Sequence, residues 1–390
     1  MKKEWLLLVA TATTSVLIGL GLVRWFAPQL LGIPIDLQMV RVSEEVPPFF
    51  SGVFRPEDYA SRKFLIKDPF VLRAKPLLPD HGVVGPHDIL GFRNRSIPNK
   101  ADIITIGDSQ TYGINAPLER NWPSSLATLL SSDQRVIHYS MAVGGWGAIE
   151  YLQMIQIAKL FQPRIIVVAF YTGNDPLESF RKAYSDSRWR SLLPDHTISV
   201  DDAPGVVFPP PESELWDVQF SDGLEFSFAP KLRLASNQEH PAVQAGYDVM
   251  AIVAKQIVEI AATRNIRVVF TIIPTAELVY ARKVRSENIV ASSEYSALIA
   301  AETMRIERLA AELSKIPRAT YVDIVSVLQS EALGSEPLYP PANGHPLPAG
   351  YQVIAEALAP TVSESLPKQQ PPSSAANELP AGSSRTEEEG

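Results

Sequence analysis

Short apolar runs rich in valine and isoleucine recur along the chain from residue 102 onwards. Their hydrophobic positions follow one another without strict alternation, which is typical of strands covered on both faces of a sheet. The runs predict strands over 102–107, 135–140, 164–170, 266–273 and 320–325. Between them, apolar residues at helical spacing predict amphipathic helices over 122–131, 148–161, 241–264, 293–315 and 348–366. Strands that alternate with helices predict an α/β domain with helices on both faces of a parallel sheet.

Two long stretches do not share this pattern. Residues 28–98 contain many prolines and only short apolar pieces, and we predict that they form a membrane-proximal connector. Residues 171–240 separate the third strand from the next helix and include the sequence DDAPGVVFPPPESELWD. Because a long excursion in a compact domain is commonly a lid or a binding element, this insertion is predicted to be a lid or a substrate-contact element. The hydrolase-like domain is predicted over 99–367, and the Pro-, Ser- and Glu-rich residues 368–390 are predicted to be a disordered tail.

The amino terminus predicts a membrane anchor. Residues 5–23 contain no charged side chain, and a helix of that length, at about 1.5 Å per residue, reaches roughly the 30 Å of a bilayer core. The sequence RWFAPQ that follows is a poor cleavage site for a secretory signal peptide, so we expect an uncleaved span over 5–27. The lysines at positions 2 and 3 favour a cytoplasmic segment over 1–4. The rest of the chain is then expected outside the cytoplasmic membrane, as a periplasmic or extracytoplasmic domain.

Composition narrows the class of function. The 390-residue chain has a formal net charge of -8 and lacks a long Lys/Arg run, which argues against a nucleic-acid surface. It contains no cysteine, so disulfides, thiolate metal sites and cysteine catalysis are excluded. Asp80, His81, His87 and Asp88 lie close together in sequence, but their spacing matches no zinc-ligand pattern. Neither a metal nor a cofactor is expected.

Polar residues with catalytic potential follow the predicted strands. Ser109 comes directly after the first strand, a glycine cluster around Gly145 after the second and Asn174 after the third, while His345 precedes the last helix. Ligands of an open parallel sheet bind beyond the carboxyl ends of its strands, so we expect these groups to share a site. They supply a nucleophile, backbone N–H donors, a side-chain amide and a base, as acyl transfer through a serine requires. No phosphate-binding glycine loop follows the first strand, which disfavours a nucleotide-binding function.

Four segments resemble the sequence blocks of the SGNH, or GDSL-type, hydrolases: GDSQTYG, SMAVGGWG, TGND and NGHPLPAGY. The resemblance implies a three-layer α/β/α, flavodoxin-like fold and an esterase or acetyl-transferring activity. It implies Ser109 as nucleophile and His345 as general base. It further implies an oxyanion hole formed by Ser109, Gly145 and Asn174, with Asp108 and Asp175 in supporting positions.

A narrower resemblance concerns substrate and partners. The sequence GFR at 91–93, the predicted anchor and IIPTAELVY after the fourth strand resemble membrane-anchored SGNH proteins of bacterial envelope or exopolysaccharide synthesis. This resemblance implies an acylated carbohydrate or cell-envelope polysaccharide as substrate. It also implies polysaccharide-biosynthesis proteins as partners.

The last block departs from the family pattern. Where the family has an aspartate two or three positions before the histidine, this chain has Ala342 and Asn343. An aspartate fixes the imidazole tautomer and stabilises the imidazolium, whereas the carbonyl oxygen of Asn343 supplies only the first effect. Three arrangements stay open: a Ser–His dyad with a backbone carbonyl as orienter, a carboxylate from elsewhere, or a catalytically weak relative. The alternative function is accordingly a binding or assembly component of an envelope polysaccharide machinery.

Overall fold

The computed structural model describes residues 74–131 and 136–366, together with the backbone of three short strands. These strands are β1 (Gln38–Met39), β2 (Leu65–Lys67) and β3 (Leu72–Ala74), which pair antiparallel in that order. The predicted span over 5–27, the segment 1–4 and the tail 368–390 lie outside the described residues. Within the described ranges, every helix falls short of the combined length and hydrophobicity that a bilayer span requires.

The central sheet has five parallel strands. They are β4 (Ile103–Gly107), β5 (His138–Ala142), β6 (Ile165–Tyr171), β9 (Arg267–Ile273) and β10 (Ala319–Val322), whereas β7 (Trp216–Gln219) and β8 (Glu225–Phe228) form a separate hairpin. The spatial order is β10-β9-β6-β4-β5, and every neighbouring pair is parallel. The predicted α/β fold with a five-stranded parallel sheet is confirmed. This strand order is flavodoxin-like, and its winding direction reverses between β4 and β6.

Helices cover both faces of the sheet. In chain order the helices of the described ranges are α1 (Ser109–Tyr112), α2 (Trp122–Leu130), α3 (Ala148–Ala158), α4 (Asp175–Ser185), α5 (Pro230–Leu234), α6 (Pro241–Ala262), α7 (Ala276–Ser286), α8 (Ser293–Ser314), α9 (Val325–Glu331) and α10 (Pro348–Ser365). Helices α3, α4 and α6 pack together on one face, and α2 packs against α10 on the other.

The strand residues explain why both faces are covered. Successive side chains of a strand point to opposite faces, and in β4, β6 and β9 both sets are mostly apolar and buried. One core cluster receives Ile104, Ile106, Ile166, Val168, Phe270 and Ile272, while the other receives Ile103, Ile165, Val167, Val269 and Ile273. These three strands are therefore nearly continuous apolar runs, interrupted by Thr105 and Thr271.

Element boundaries follow local capping. The long helices α6, α8 and α10 end within two residues of their predicted limits. Strand β10 is shorter than the predicted 320–325 and ends at Val322. Asp323 explains this, because its carboxylate accepts the Val325 N–H at 2.8 Å and the Ser326 hydroxyl at 3.1 Å. These contacts turn the chain into α9.

The insertion over 171–240 contains α4, the β7–β8 hairpin and α5. Phe226 of the hairpin packs against Tyr280 of α7, with ring centroids 4.3 Å apart. The Ser227 N–H donates to the Pro341 carbonyl at 2.7 Å. The insertion is thereby attached to the loop that precedes α10.

Residues 74–98, the described part of the predicted connector, pack on the α/β domain. Phe92 belongs to the main core cluster, and Arg93 is only 1% exposed. The Arg93 guanidinium donates five hydrogen bonds of 2.6–3.2 Å to the carbonyls of Gly82, Gly85, Tyr112, Gly113 and Ala116. His87 contacts the Tyr112 hydroxyl through Nε2 at 2.6 Å. These contacts join 82–93 to the turn that follows β4.

Candidate active site

Ser109 begins the short helix α1 immediately after β4. Asp108 caps this helix, because its Oδ1 accepts the Gln110 N–H at 2.9 Å. Asp108 Oδ2 lies 3.2 Å from Ser109 Oγ, and both residues are buried. Aspartate is a strong N-cap residue because its side chain satisfies an N–H that the helix leaves unpaired. The turn thus holds the Ser109 hydroxyl at the carboxyl end of the sheet, beside the β4/β6 switch point.

His345 lies on the loop before α10, and its side chain contacts Ser109. The distance from His345 Nε2 to Ser109 Oγ is 2.8 Å, and Nδ1 lies 2.8 Å from Asn343 Oδ1. The His345 backbone N–H also donates to Asn343 Oδ1 at 2.9 Å, which fixes the amide with its oxygen toward the ring. An amide oxygen only accepts hydrogen bonds. Nδ1 therefore carries the proton, and the Nε2 lone pair faces the serine hydroxyl.

The turn of Ser109 also holds the histidine loop. Gln110 Nε2 donates to the Gly344 carbonyl at 3.0 Å, and Asn115 Nδ2 donates to the His345 carbonyl at 2.9 Å. Gln110 directly follows Ser109 in the segment GDSQTYG. In this chain its amide connects the loop of the nucleophile to the loop of the base.

Burial and a nearby cation weaken the basicity of His345. Burial, and secondarily the positive charge of Arg233, lower the pKa of His345 to about 3. The Arg233 guanidinium lies against the backbone of Gly344, the residue before His345. A Cβ atom added to Gly344 would lie only 2.4 Å from Arg233 Nη2. The imidazole is therefore neutral and able to accept a proton at pH 7. At Nδ1, where serine hydrolases usually have a carboxylate, the contact of His345 is the uncharged amide oxygen of Asn343.

The remaining predicted groups lie around the same cavity. Gly145 adopts a φ of +80° in the turn after β5, a left-handed conformation that favours glycine. Asn174 precedes α4 in the turn after β6. The cavity has a volume of about 540 Å³. Ser109, Gly145, Asn174 and His345 all line it. The residues that follow β4, β5 and β6 therefore lie around one cavity together with His345.

Asp175 holds the turn that carries Asn174. Its Oδ2 accepts the Tyr171 N–H at 2.9 Å and the Tyr151 hydroxyl at 2.8 Å, while Asn174 Nδ2 lies 3.5 Å from Oδ1. Burial and the proximity of Asp108 raise the pKa of Asp175, and burial raises the pKa of Asp108 to about 7. Raised pKa values reduce the ionisation of both carboxyls. The repulsion between these carboxyls and an oxyanion formed beside them is therefore reduced.

Several residues around the site were not predicted from the sequence. Glu302 of α8 accepts the Thr275 N–H at 2.8 Å and the Thr275 hydroxyl at 2.6 Å, and it also binds the Thr172 hydroxyl. It thereby connects the exits of β6 and β9. A signal exists in the sequence, because Glu302 falls on the apolar stripe of its helix between Leu298 and Leu309. Arg233 and Glu277, which line the cavity, carry no comparable signal.

The insertion supplies the apolar wall of the cavity. Its apolar lining residues are Leu177, Val206, Phe208, Leu215, Phe226, Phe228 and Leu232. Arg181 holds part of this wall, since it contacts Glu178 at 3.1 Å and the Pro204 carbonyl at 3.3 Å. Ser109, Gly145 and Asn174 thus follow strands of the sheet, whereas much of the apolar cavity wall comes from residues 171–240.

No protein-family model and no curated protein matches the chain. Similar solved structures include a GDSL-like lipase from Bacteroides thetaiotaomicron, with 12% identity, 68% of this chain and 88% of that chain covered, and a TM-score of 0.36. A catalytic mutant of an acetylxylan esterase from Geobacillus stearothermophilus has 10% identity, 68% and 95% coverage and a TM-score of 0.35. The esterase EstA from Pseudoalteromonas has 11% identity, 67% and 97% coverage and a TM-score of 0.31. One of these similar structures is thus a GDSL-like lipase and the other two are esterases.

Proposed function

We propose that this protein is a serine esterase or O-acyltransferase of the SGNH type. The observation that carries the proposal is the hydrogen-bonded series Ser109–His345–Asn343, with 2.8 Å at both contacts, on a cavity shared with Gly145 and Asn174. A nucleophile, a base in hydrogen-bond contact and a third group that orients the base are what covalent acyl transfer requires.

The geometry supports the following reaction. Ser109 Oγ attacks the ester carbonyl carbon while its proton passes to His345 Nε2. The N–H groups of Ser109 and Gly145 and the Asn174 amide stabilise the tetrahedral oxyanion. Collapse breaks the bond to the leaving alcohol, which takes the proton from His345 and leaves an acyl-serine. Water or an acceptor hydroxyl then releases the acyl group by the reverse sequence of proton transfers.

The substrate and the location form the second part of the proposal. We propose a membrane-anchored, extracytoplasmic enzyme that acts on an acyl ester, most simply an acetyl ester, of a carbohydrate or envelope polysaccharide. The apolar amino-terminal segment and the narrower sequence resemblance support it. The partners proposed are the acylated substrate and polysaccharide-biosynthesis proteins.

A binding or assembly component with weak catalysis is the second candidate function. Asn343 favours it, because its amide oxygen contacts His345 Nδ1 at 2.8 Å but supplies no negative charge to stabilise an imidazolium.

Covalent labelling tests the proposed function. The full-length chain in detergent is treated with a fluorophosphonate probe, and the adduct is located by peptide mass mapping. We expect one adduct per chain on Ser109, and the exposed-site variant Ser96→Ala should label equally. Absence of labelling would reject the acyl-serine mechanism and favour the binding function, whereas labelling on another serine would remove Ser109 from the role of nucleophile.

Restoring the acid at Asn343 is expected to increase activity. An opposite charge nearby typically raises a histidine pKa by about 1–3 units, each unit being tenfold in the proton equilibrium. We expect Asn343→Asp to increase kcat/KM for p-nitrophenyl acetate by about ten- to a hundredfold. A higher pKa means that His345 becomes protonated at a higher pH. In the native protein, a His345 pKa of about 3 places the acidic limb of the pH–rate profile far below neutral pH. In the variant, we therefore expect this limb at a higher pH.

The matched control is Asn99→Asp, which introduces the same charge at an exposed position. It should change neither the rate nor the acidic limb. An Asn343→Asp rate equal to or below that of the native protein would show that the missing carboxylate does not limit the reaction.

A further inference from the structure

Glu277 and Tyr171 are two buried polar residues on the wall of the cavity that contains Ser109. Glu277 is 3% exposed and Tyr171 is 2% exposed, and both line the cavity. Glu277 Oε1 accepts the Ala229 N–H at 3.0 Å. Glu277 Oε2 and the Tyr171 hydroxyl have no hydrogen-bond partner among the described residues. Two residues in the wall around the proposed nucleophile thus each have one buried polar atom without a partner among the described residues.

Unpartnered buried polar atoms are unusual in folded proteins, because the lost hydration is not replaced. The proposed reaction does not use either atom. Glu277 belongs to α7 after β9, and Tyr171 ends β6, so both lie at the ligand-binding edge of the sheet. A substrate group in the cavity would supply the missing partners.

The chemistry of the wall limits what that group can be. A carboxylate oxygen accepts and a phenol both donates and accepts, so the pair suits a hydroxyl, which also does both. An ammonium would satisfy the carboxylate, but Arg233 lines the same wall with its guanidinium 5.9 Å from the Tyr171 ring centroid. A second cation beside Arg233 is disfavoured. A neutral hydroxyl is the group that fits.

We propose that Glu277 and Tyr171 form a subsite that binds a free hydroxyl of the substrate, so that the ester cleaved at Ser109 is carried by a polyol or sugar. This inference rests on the proposed function, because it treats the cavity as the substrate site. Sites built to hydrogen-bond a hydroxyl discriminate strongly against analogues that lack it. Glu277 and Tyr171 are thereby specificity-determining residues.

Two esters of matched size test the subsite. Methyl 6-O-acetylglucoside carries ring hydroxyls, and cyclohexylmethyl acetate has the same ring size without them. We expect the full-length protein to prefer the sugar ester in kcat/KM. Glu277→Gln and Tyr171→Phe should each lower the ratio between the two esters by about tenfold or more, because a hydroxyl-binding contact is weakened or removed.

Two readouts separate recognition from structure. Tyr171→Phe removes a hydroxyl without a partner among the described residues, so the melting temperature should not fall. Glu294→Gln, on an exposed residue of α8, should leave the ratio unchanged. A lowered melting temperature together with an unchanged ratio would assign the two side chains a structural role and overturn the proposal. A preference for acetylcholine over the sugar ester would overturn it in favour of an ammonium subsite.

Binding distinguishes failure of the subsite from failure of the proposed function. In Ser109→Ala, which cannot form an acyl-serine, calorimetry should detect the acetylglucoside, and adding Glu277→Gln should weaken the Kd by about tenfold. If no ester is hydrolysed and this binding persists, the proposed function fails while the hydroxyl subsite stands. If p-nitrophenyl acetate is hydrolysed but neither binding nor the ratio depends on Glu277, the subsite fails alone.

Discussion

Replacing Ser109 with alanine is expected to lower kcat for p-nitrophenyl acetate by about 10⁴-fold or more, as removal of the nucleophile does in serine hydrolases. The reason is geometric, because Ser109 Oγ is the group 2.8 Å from His345 Nε2. Its loss removes the covalent route, while the donors of Gly145 and Asn174 remain on the cavity wall. Initial rates of the purified full-length variant, measured beside the native protein, check this.

Stability serves as the control for Ser109→Ala. The serine hydroxyl contacts Asp108 at 3.2 Å and His345, whereas the N-cap contact from Asp108 to the Gln110 N–H does not involve it. We therefore expect a melting temperature within about 2 °C of the native value, which corresponds to a change of about 1 kcal/mol or less. Equal hydrolysis by Ser109→Ala and native protein would remove Ser109 from its proposed role.

Replacing Asn174 with alanine is expected to lower kcat by about 10²- to 10³-fold, the usual cost of removing one oxyanion-hole donor. Because such a donor acts on the charge that develops in the transition state, KM should change little. Asn174 lies after β6 with its Nδ2 3.5 Å from Asp175 Oδ1, and Asp175 remains anchored by Tyr171 and Tyr151 in the variant. Steady-state kinetics that separate kcat from KM provide the measurement.

Asn99→Ala is the matched control, because it removes an amide from an exposed position. It should preserve both kinetic constants. A rise in KM at constant kcat in Asn174→Ala would instead assign the amide to ground-state binding. That result would contradict its place in the oxyanion hole.

The sheet and the arrangement of the site could be expected from the sequence for a simple physical reason. Parallel strands buried on both faces must be continuous apolar runs, and their carboxyl ends meet at one edge. Residues such as Ser109 and Asn174, which follow these runs directly, are therefore placed by the strands themselves. His345 comes to Ser109 because α10 packs against α2, which follows the nucleophile turn.

The cavity wall could not be predicted in the same way. Arg233 contacts Gly344 only because the insertion folds back over the sheet. This long-range contact cannot be predicted from a pattern of neighbouring residues. The β7–β8 hairpin does carry a local signal, since WDVQF and LEFSF alternate around Asp222 and Gly223, a sequence typical of hairpins. The prediction that 171–240 lies outside the strand and helix pattern overlooks this signal.

The contacts of Arg93 determine how much of the chain the catalytic unit needs. A fragment that begins at residue 99 would retain every proposed catalytic group, yet the carbonyls of Tyr112, Gly113 and Ala116 would lose the hydrogen bonds that Arg93 donates. Losing hydrogen bonds from a buried charged group costs several kcal/mol, and Phe92 would leave its place in the core. We therefore expect the shortest fragment able to fold around the proposed site to begin upstream of Gly82, whose carbonyl also accepts from Arg93. Removal of the proposed anchor and removal of residues 82–98 are thus separate operations.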